Sequence, residues 1–222
     1  KDLVPDIDSS VSTYYKDTGF YGKLTLGSIE LFESTNEKIF LNDAKTFSDS
    51  AGADYWWSWG NMNSLAHFKI AKYDSSKIKF LRESVDFYFR NMKASSFDEP
   101  LDYSWGTTNS FLGTALTEIL YRSLTNDKSY ERLTSTQRDF VLGRNKWGIS
   151  FIYGIGNLFP KQIHSQIAYY NDGYLPGALV GGPAPETILN KFDYNSTKDL
   201  FDTFNAGEEI QYFDQRMNFI TN

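Results

Sequence analysis

Apolar positions recur at helical spacing over most of the chain. From Phe20 onward Leu24, Leu26, Ile29, Leu31 and Phe32 form a broad apolar stripe, the pattern of an amphipathic helix. Asn36 reads as an N-cap, and Ile39, Phe40, Ala44 and Phe47 then mark a second helix over Lys38–Ser48. The tight polar turn between the two makes a helical hairpin. The same unit recurs with Met62, Leu65, Ala66, Phe68 and Ile70 in Asn61–Tyr73, the turn Asp74-Ser75-Ser76, and Ile78, Leu81, Val85, Phe89 and Met92 in Lys77–Met92. A third pair is predicted over Thr108–Leu124 and Ser129–Leu142, joined by Thr125-Asn126-Asp127. Sustained period-two alternation with turn dipeptides is lacking, so the prediction is an all-α chain of helical hairpins. Their size and order suit part of an α/α toroid. Residues 1–19 are polar and read as a lead-in segment with at most one short helix, and residues 1–222 as a single domain.

Beyond Phe140 the periodicity gives way to glycine and proline. The blocks are Phe140-Val-Leu-Gly-Arg-Asn-Lys-Trp-Gly148, Ser150-Phe-Ile-Tyr-Gly-Ile-Gly156, Ile163-His164-Ser-Gln166 and Leu175-Pro-Gly-Ala-Leu-Val-Gly-Gly-Pro183. Such density specifies turns rather than repeats. Trp147, Phe151, Ile152, Tyr153, Leu158, Phe159 and Ile163 are too apolar for a solvated tail, so these are ordered loops of functional length.

Composition narrows the chemistry. A chain of 222 residues can bury a good core. Cysteine is absent, which removes disulfide and thiol chemistry. The net charge of −6 and the lack of a basic stripe disfavour nucleic-acid binding. No apolar run approaches the roughly 20 residues of a membrane span, and no signal-peptide pattern follows Lys1. Aromatic residues make up 17% of the chain, enough to fill a core and also to present ring faces to the apolar C–H faces of sugars.

The blocks after Phe140, in their order, resemble the family 9 glycoside hydrolases, which are mostly cellulases. That family has a helix ending in aromatic-x-Leu-Gly-Arg-Asn-Pro-x-Gly, then Ser-Phe-Val-Thr-Gly-x-Gly, a Pro-His-His-Arg signature and Leu-Pro-Gly-Ala-Leu-Val-Gly-Gly-Pro. Lys146 departs from it at the proline, Ile163 at the proline before the histidine, and Gln166 at the sugar-binding arginine. The resemblance is strong after residue 103 and weak before, and it implies the C-terminal half of a catalytic (α/α)6 barrel. It implies an enzyme acting on a β-1,4-glucan, secreted or periplasmic, with an oligo- or polysaccharide as partner. A cofactor is not implied; a structural calcium occurs in the family, but no Asp-rich loop here calls for one.

Inverting glycoside hydrolysis needs two carboxyl groups roughly 6.5–9.5 Å apart, one acid and one base. The family's base sits in an Asp-Ala-Gly-Asp motif in the missing N-terminal half. Asp49-Ser-Ala-Gly-Ala-Asp54 is only faintly like it, lies too late in the family's order, and reads as a helix end and loop. The acid follows the pattern aromatic-x-Asp-x4-aromatic-x3-Glu. Tyr212, Asp214 and Phe219 reproduce that spacing up to Asn222, so the glutamate is expected as the next residue and the chain reads as a fragment.

The resemblance implies sugar contacts from His164, from Trp105 at the start of a helix with Asn109, from Trp59 in the Tyr55-Trp56-Trp57-Ser-Trp59 cluster, and from Gln166 in the arginine's place. Thr108 or Asn109 is alternatively the cap of that helix. His164 has no second histidine at ligand spacing and is not read as a metal ligand. His67 reads as packed core, while Arg144, Asp214 and Tyr212 read as supports: Arg144 bracing loops after Gly143, Asp214 orienting the acid or its loop. Asn195-Ser-Thr197 fits a glycosylation acceptor. Two further expectations follow. The open face of half a toroid should pair with its missing half or with a second copy. A competing reading is a non-catalytic sugar-binding or scaffold remnant, which Gln166 favours, whereas an unrelated lyase or epimerase would need a tyrosine or histidine pair that the sequence does not offer.

Overall fold

A computed structural model describes residues 19–57, 60–192 and 208–222. Within these the chain is helical as predicted: α1 (Phe20–Thr35), α2 (Lys38–Ala51), α3 (Asn63–Ile70), α4 (Ile78–Ala94), α5 (Thr107–Thr125), α6 (Glu131–Val141) and two short helices, α7 (Gln166–Tyr170) and α8 (Glu186–Leu189). A minimal antiparallel pair, β1 (Ala184–Pro185) with β2 (Ile210–Gln211), sits among the late loops. Two compact units result, one of residues up to Asp54 with Gly60–Glu83, the other of Tyr55–Trp59 with Ser84–Asn222. Residues 1–18 of the lead-in, Trp59 and the Asn195 sequon lie outside the described residues.

In the first unit α1 does not bury its leucine stripe. Its buried residues are Gly22, Thr25, Ser28 and Ile29, while Leu31 is 48% exposed. The reason is close approach: a Cβ on Gly22 would lie 2.0 Å from Asn63 Oδ1, so small residues rather than leucines face α3. Asn36 is not an N-cap either. Its φ of 60° and its amide bond to Phe32 O at 2.8 Å make it the left-handed residue that stops α1, with Glu37 preceding α2.

Beside α2, His67 is 1% exposed and fully bonded. The Gly52 carbonyl, 2.7 Å from Nε2, can only accept, so Nε2 carries the proton and Nδ1 accepts from Ser48 Oγ at 3.0 Å. Burial holds its pKa down at about 4, opposed in part by the Gly52 bond. In the last turn of α2 Asp49 pairs with Lys77 Nζ at 2.6 Å, and in the loop that follows Asp54 accepts from Asn61 Nδ2 (2.7 Å) and Ser64 Oγ (3.1 Å). Burial pushes the Asp54 carboxyl up, against those hydrogen bonds. Both carboxylates are thus committed to the helix end and loop.

In the second unit the part of α4 from Ser84 onward, α5 and α6 close with the late loops around one core that contains Tyr88, Met92, Phe111, Leu133, Phe140, Trp147, Phe151 and Tyr212. Burying each such side chain contributes on the order of 1.5–3 kcal/mol. Glu118, fully buried on α5, accepts from Arg122 Nε at 2.9 Å and from Thr134 Oγ1 on α6, tying the hairpin across. Gly113 leaves room on α5 for the Trp57 ring, since a Cβ there would fall 1.9 Å from Trp57 Cδ2.

Two outcomes are expected. Unfolded histidine takes up a proton near pH 6.5, whereas native His67 stays neutral down to about pH 4. The His67 contribution is therefore complete above pH 6.5 and lost as pH falls toward 4, by up to about 3 kcal/mol. Urea unfolding of wild type and His67→Gln at both pH values checks it: the variant should show less of this acid loss. Gly113→Ala, although alanine favours helix by about 1 kcal/mol, should cost about 1–3 kcal/mol by the same measurement, because the indole must move.

Candidate functional site

The late loops are laid down by backbone pairing that helical periodicity cannot foretell. Phe151 N donates to Val141 O (2.8 Å), Val180 N to Phe151 O (3.0 Å), Tyr153 N to Ala178 O (2.9 Å) and Gly177 N to Tyr153 O (2.9 Å). The Ser150-Phe-Ile-Tyr block thus runs against the Gly-Ala-Leu-Val block. Asn145 builds the turn before them: Nδ2 donates to Phe140 O (2.6 Å) and Ile149 O (2.8 Å), while Oδ1 accepts from Trp147 N at 3.1 Å. Arg144 is engaged with Asp98 at 3.0 Å, the loop-bracing role, on a surface it shares with Arg132.

Gly181 and Gly182 are the junction. A Cβ on Gly181 would meet Ile220 O at 2.4 Å, and one on Gly182, whose φ is 82°, would meet Thr108 Cγ2 at 2.5 Å. Through that gap Thr108 N donates to Gly181 O (3.1 Å), Thr108 Oγ1 to Val180 O (2.5 Å), and Gly182 N to Thr221 O (2.9 Å). Thr108 is accordingly a tie between α5 and this loop rather than the cap of α5, which starts after Gly106. Asn109 does not cap it either; it is exposed, and no hydrogen bond found among the described residues draws it toward His164.

The segment from Tyr212 to Asn222 locks onto the histidine loop. Asp214 accepts from the amides of Lys161 (3.0 Å) and Gln162 (2.9 Å), so its carboxylate orients the loop that carries His164. Asn222 Nδ2 donates to Gln162 O (2.9 Å), and the hydroxyl of the fully buried Tyr212 donates to Asn222 Oδ1 (2.8 Å). Asn218 Oδ1 gathers the amides of Ile220 and Thr221.

On this frame stand the sugar candidates. Trp105 is half exposed with its ring centroid 5.2 Å from that of Phe219, and Phe219 is 6.0 Å from the His164 ring. His164 is exposed, and its Nδ1 donates to Arg216 O at 2.8 Å, which fixes the imidazole. His164, Gln166, Tyr169, Arg216 and Met217 line a cavity of about 370 Å3. The structure thus brings together Trp105, His164, Gln166, Asp214 and Tyr212. Phe219, Tyr169 and Arg216 escaped the sequence reading as site residues; the aromatic-Asp-aromatic block around Asp214 held the signal for two of them. A larger cavity of about 1070 Å3, lined by Glu99, Tyr103, Glu186 and Glu209 among others, involves none of the predicted residues. There Tyr103 donates to Glu99 Oε1 (2.8 Å), and burial holds its phenol strongly up. Among the described residues no three His, Asp or Glu side chains converge as a metal site would.

An exposed tryptophan just before α5, a histidine fixed on a late loop and a carboxylate in the final segment that holds that loop form one surface. The model of glycosyl hydrolase family 9 matches residues 2–222, and the chain belongs to that family. Endoglucanase 24 of Oryza sativa subsp. japonica is 20% identical over 93% of this chain and 50% of its own length. A xyloglucan-specific endo-beta-1,4-glucanase of Bacteroides ovatus is 27% identical over 77% of this chain and 32% of its own. Among solved structures, a metagenome-derived family 9 endoglucanase superposes with a TM-score of 0.75 at 21% identity, covering 94% of this chain and 38% of that one. A cellulase of C. cellulolyticum, solved with cellobiose, gives 0.64 at 20% identity over 100% of this chain and 50% of that one. The fold is therefore part of the family's (α/α)6 barrel. The chain spans half or less of the length of these relatives.

Removing the Asp214 carboxylate should loosen the histidine loop. Asp214→Ala leaves two amides without their charge-assisted acceptor, so it should cost about 1.5–3 kcal/mol and raise hydrogen exchange at Lys161 and Gln162. Unchanged protection at those amides would show that the loop holds without it.

Proposed function

We propose that this chain is the C-terminal part of an inverting hydrolase of β-1,4-linked glucans, acting outside the cytoplasm where a polymeric substrate is met. The carrying observation is the row Trp105, Phe219 and His164 beside a cavity whose loop is oriented by Asp214. An exposed indole face suits the apolar face of a pyranose, and His164 offers the ring edge left over from its bond to Arg216 O for a sugar hydroxyl. Trp105 and His164 thus bind and orient; proton transfer belongs to a base and an acid in the parts of the domain outside this chain, the acid expected directly after Asn222. Inversion would have the acid protonate the leaving oxygen while the base activates water on the opposite face of the ring. Leu116 and Ile119, 44% and 42% exposed on α5, support packing against the remainder of the barrel or a second copy. Gln166, exposed in the cavity where relatives carry arginine by resemblance, supports the second reading, a binding module that has lost hydrolysis.

The complete product of the reading frame separates the two. Given cellopentaose and followed by proton NMR, it should release the α-anomer first, and Trp105→Ala should raise KM about tenfold, as losing one aromatic platform of 1–2 kcal/mol would. Release of the β-anomer first would refute inversion; binding without turnover would establish the binding module.

A further inference from the structure

Asn222 commits its whole side chain to holding its own place. Its amide Nδ2 donates to Gln162 O at 2.9 Å and lies 3.4 Å from Asp214 Oδ1, while its Oδ1 accepts from the Tyr212 hydroxyl at 2.8 Å. An asparagine that is only partly buried ordinarily gives these groups to water or to its own turn. Here one contact reaches 60 residues back in the chain, and another ends on a phenol whose ring is fully buried in the core.

The backbone around it is fixed as closely. Asn222 N donates to Asn218 O at 3.0 Å, and Asn218 Oδ1 takes the amides of Ile220 (3.2 Å) and Thr221 (3.3 Å). Thr221 Oγ1 donates to Phe213 O at 2.8 Å, and the Thr221 carbonyl accepts from Gly182 N at 2.9 Å. Gln162 is held on both its backbone groups: its amide donates to Asp214 Oδ1 at 2.9 Å, and its carbonyl accepts from Asn222. His164 stands two residues further on. Asn222 thereby sets the spacing between the histidine loop and its own Cα, the point from which the next residue departs.

A general acid needs such a setting more than a binding group does. It must meet the leaving oxygen within hydrogen-bond reach, and a displacement of about 1 Å can cost about a hundredfold in rate. We propose that Asn222 is a positioning residue for the general acid, fixing the carboxyl group of the following residue relative to His164 through Tyr212, Asp214 and Gln162. This rests on the glucan reading above, in which the acid follows Asn222. Asn222 itself transfers no proton; its amide ties the backbone of the acid to the loop that carries His164.

The test gives the complete reading-frame product two substrates, cellotetraose and dinitrophenyl β-cellobioside. The sugar leaving oxygen must take the proton of the acid as its bond to the anomeric carbon breaks, whereas dinitrophenolate departs as a stable anion and needs none. Asn222→Ala should lower kcat on cellotetraose about a hundredfold, with KM and with kcat on the aryl substrate each within about threefold of wild type. Tyr212→Phe removes one hydroxyl and keeps the ring in the core, and it should show the same selectivity with a loss of about tenfold. Equal losses on both substrates in Tyr212→Phe, or no loss on cellotetraose in Asn222→Ala, overturns the proposal and leaves a structural asparagine. Wild type that hydrolyses neither substrate brings down the glucan reading itself. Wild type that splits cellotetraose, and still does so when the carboxyl group after Asn222 is made an amide, overturns the positioning role while the glucan reading stands.

Discussion

Two adjacent glycines carry the site because nothing larger fits where three chain segments meet. Gly181 lies against the carbonyl of Ile220, and Gly182 against the methyl of Thr108, both nearer than any Cβ permits. Across that gap the start of α5, the loop after Val180 and the segment before Asn222 exchange backbone hydrogen bonds. Trp105 precedes the first of these segments, and Phe219 belongs to the last. Their rings touch because the glycines let their backbones do so, and His164 joins them through Asp214, which grips its loop from the same final segment.

Polar side chains do a second job here that is ordinarily done by secondary structure. Asn145, Asn218 and Asp214 each gather two or more backbone amides or carbonyls, so the loops are satisfied without a sheet. This explains why so few strands accompany so much extended chain. It also leaves the exposed groups, Trp105 and His164, on backbone held from beneath.

The helices were legible because their apolar spacing is local. The reading failed where contact is set by closeness or by distance in sequence. The leucines of α1 suggested its buried face, yet packing against Asn63 selected Gly22, Thr25 and Ser28, which a hydrophobic pattern does not register. Asn36 has the composition of a cap at either end of a helix, and only its left-handed backbone tells which. Thr108 looked like a cap because local rules govern the first turn of a helix, whereas its hydroxyl serves a loop 72 residues away. His164, Asp214 and Tyr212 were singled out through family blocks; Arg216 was not, although it stands inside the same block, because its backbone contact with His164 is set by a loop 52 residues away.

The span of the Asp214 contacts has a bearing on how the molecule comes together. Lys161 and Asp214 are 53 residues apart, and Thr108 and Val180 are 72 apart, while each hairpin closes over a few residues. Long loops close late, because their entropy must be surrendered before any bond forms in return. Helices of the second unit can therefore assemble with the loops around His164 still unmade, and those loops reach their final geometry only when the last described segment has packed against the glycine pair.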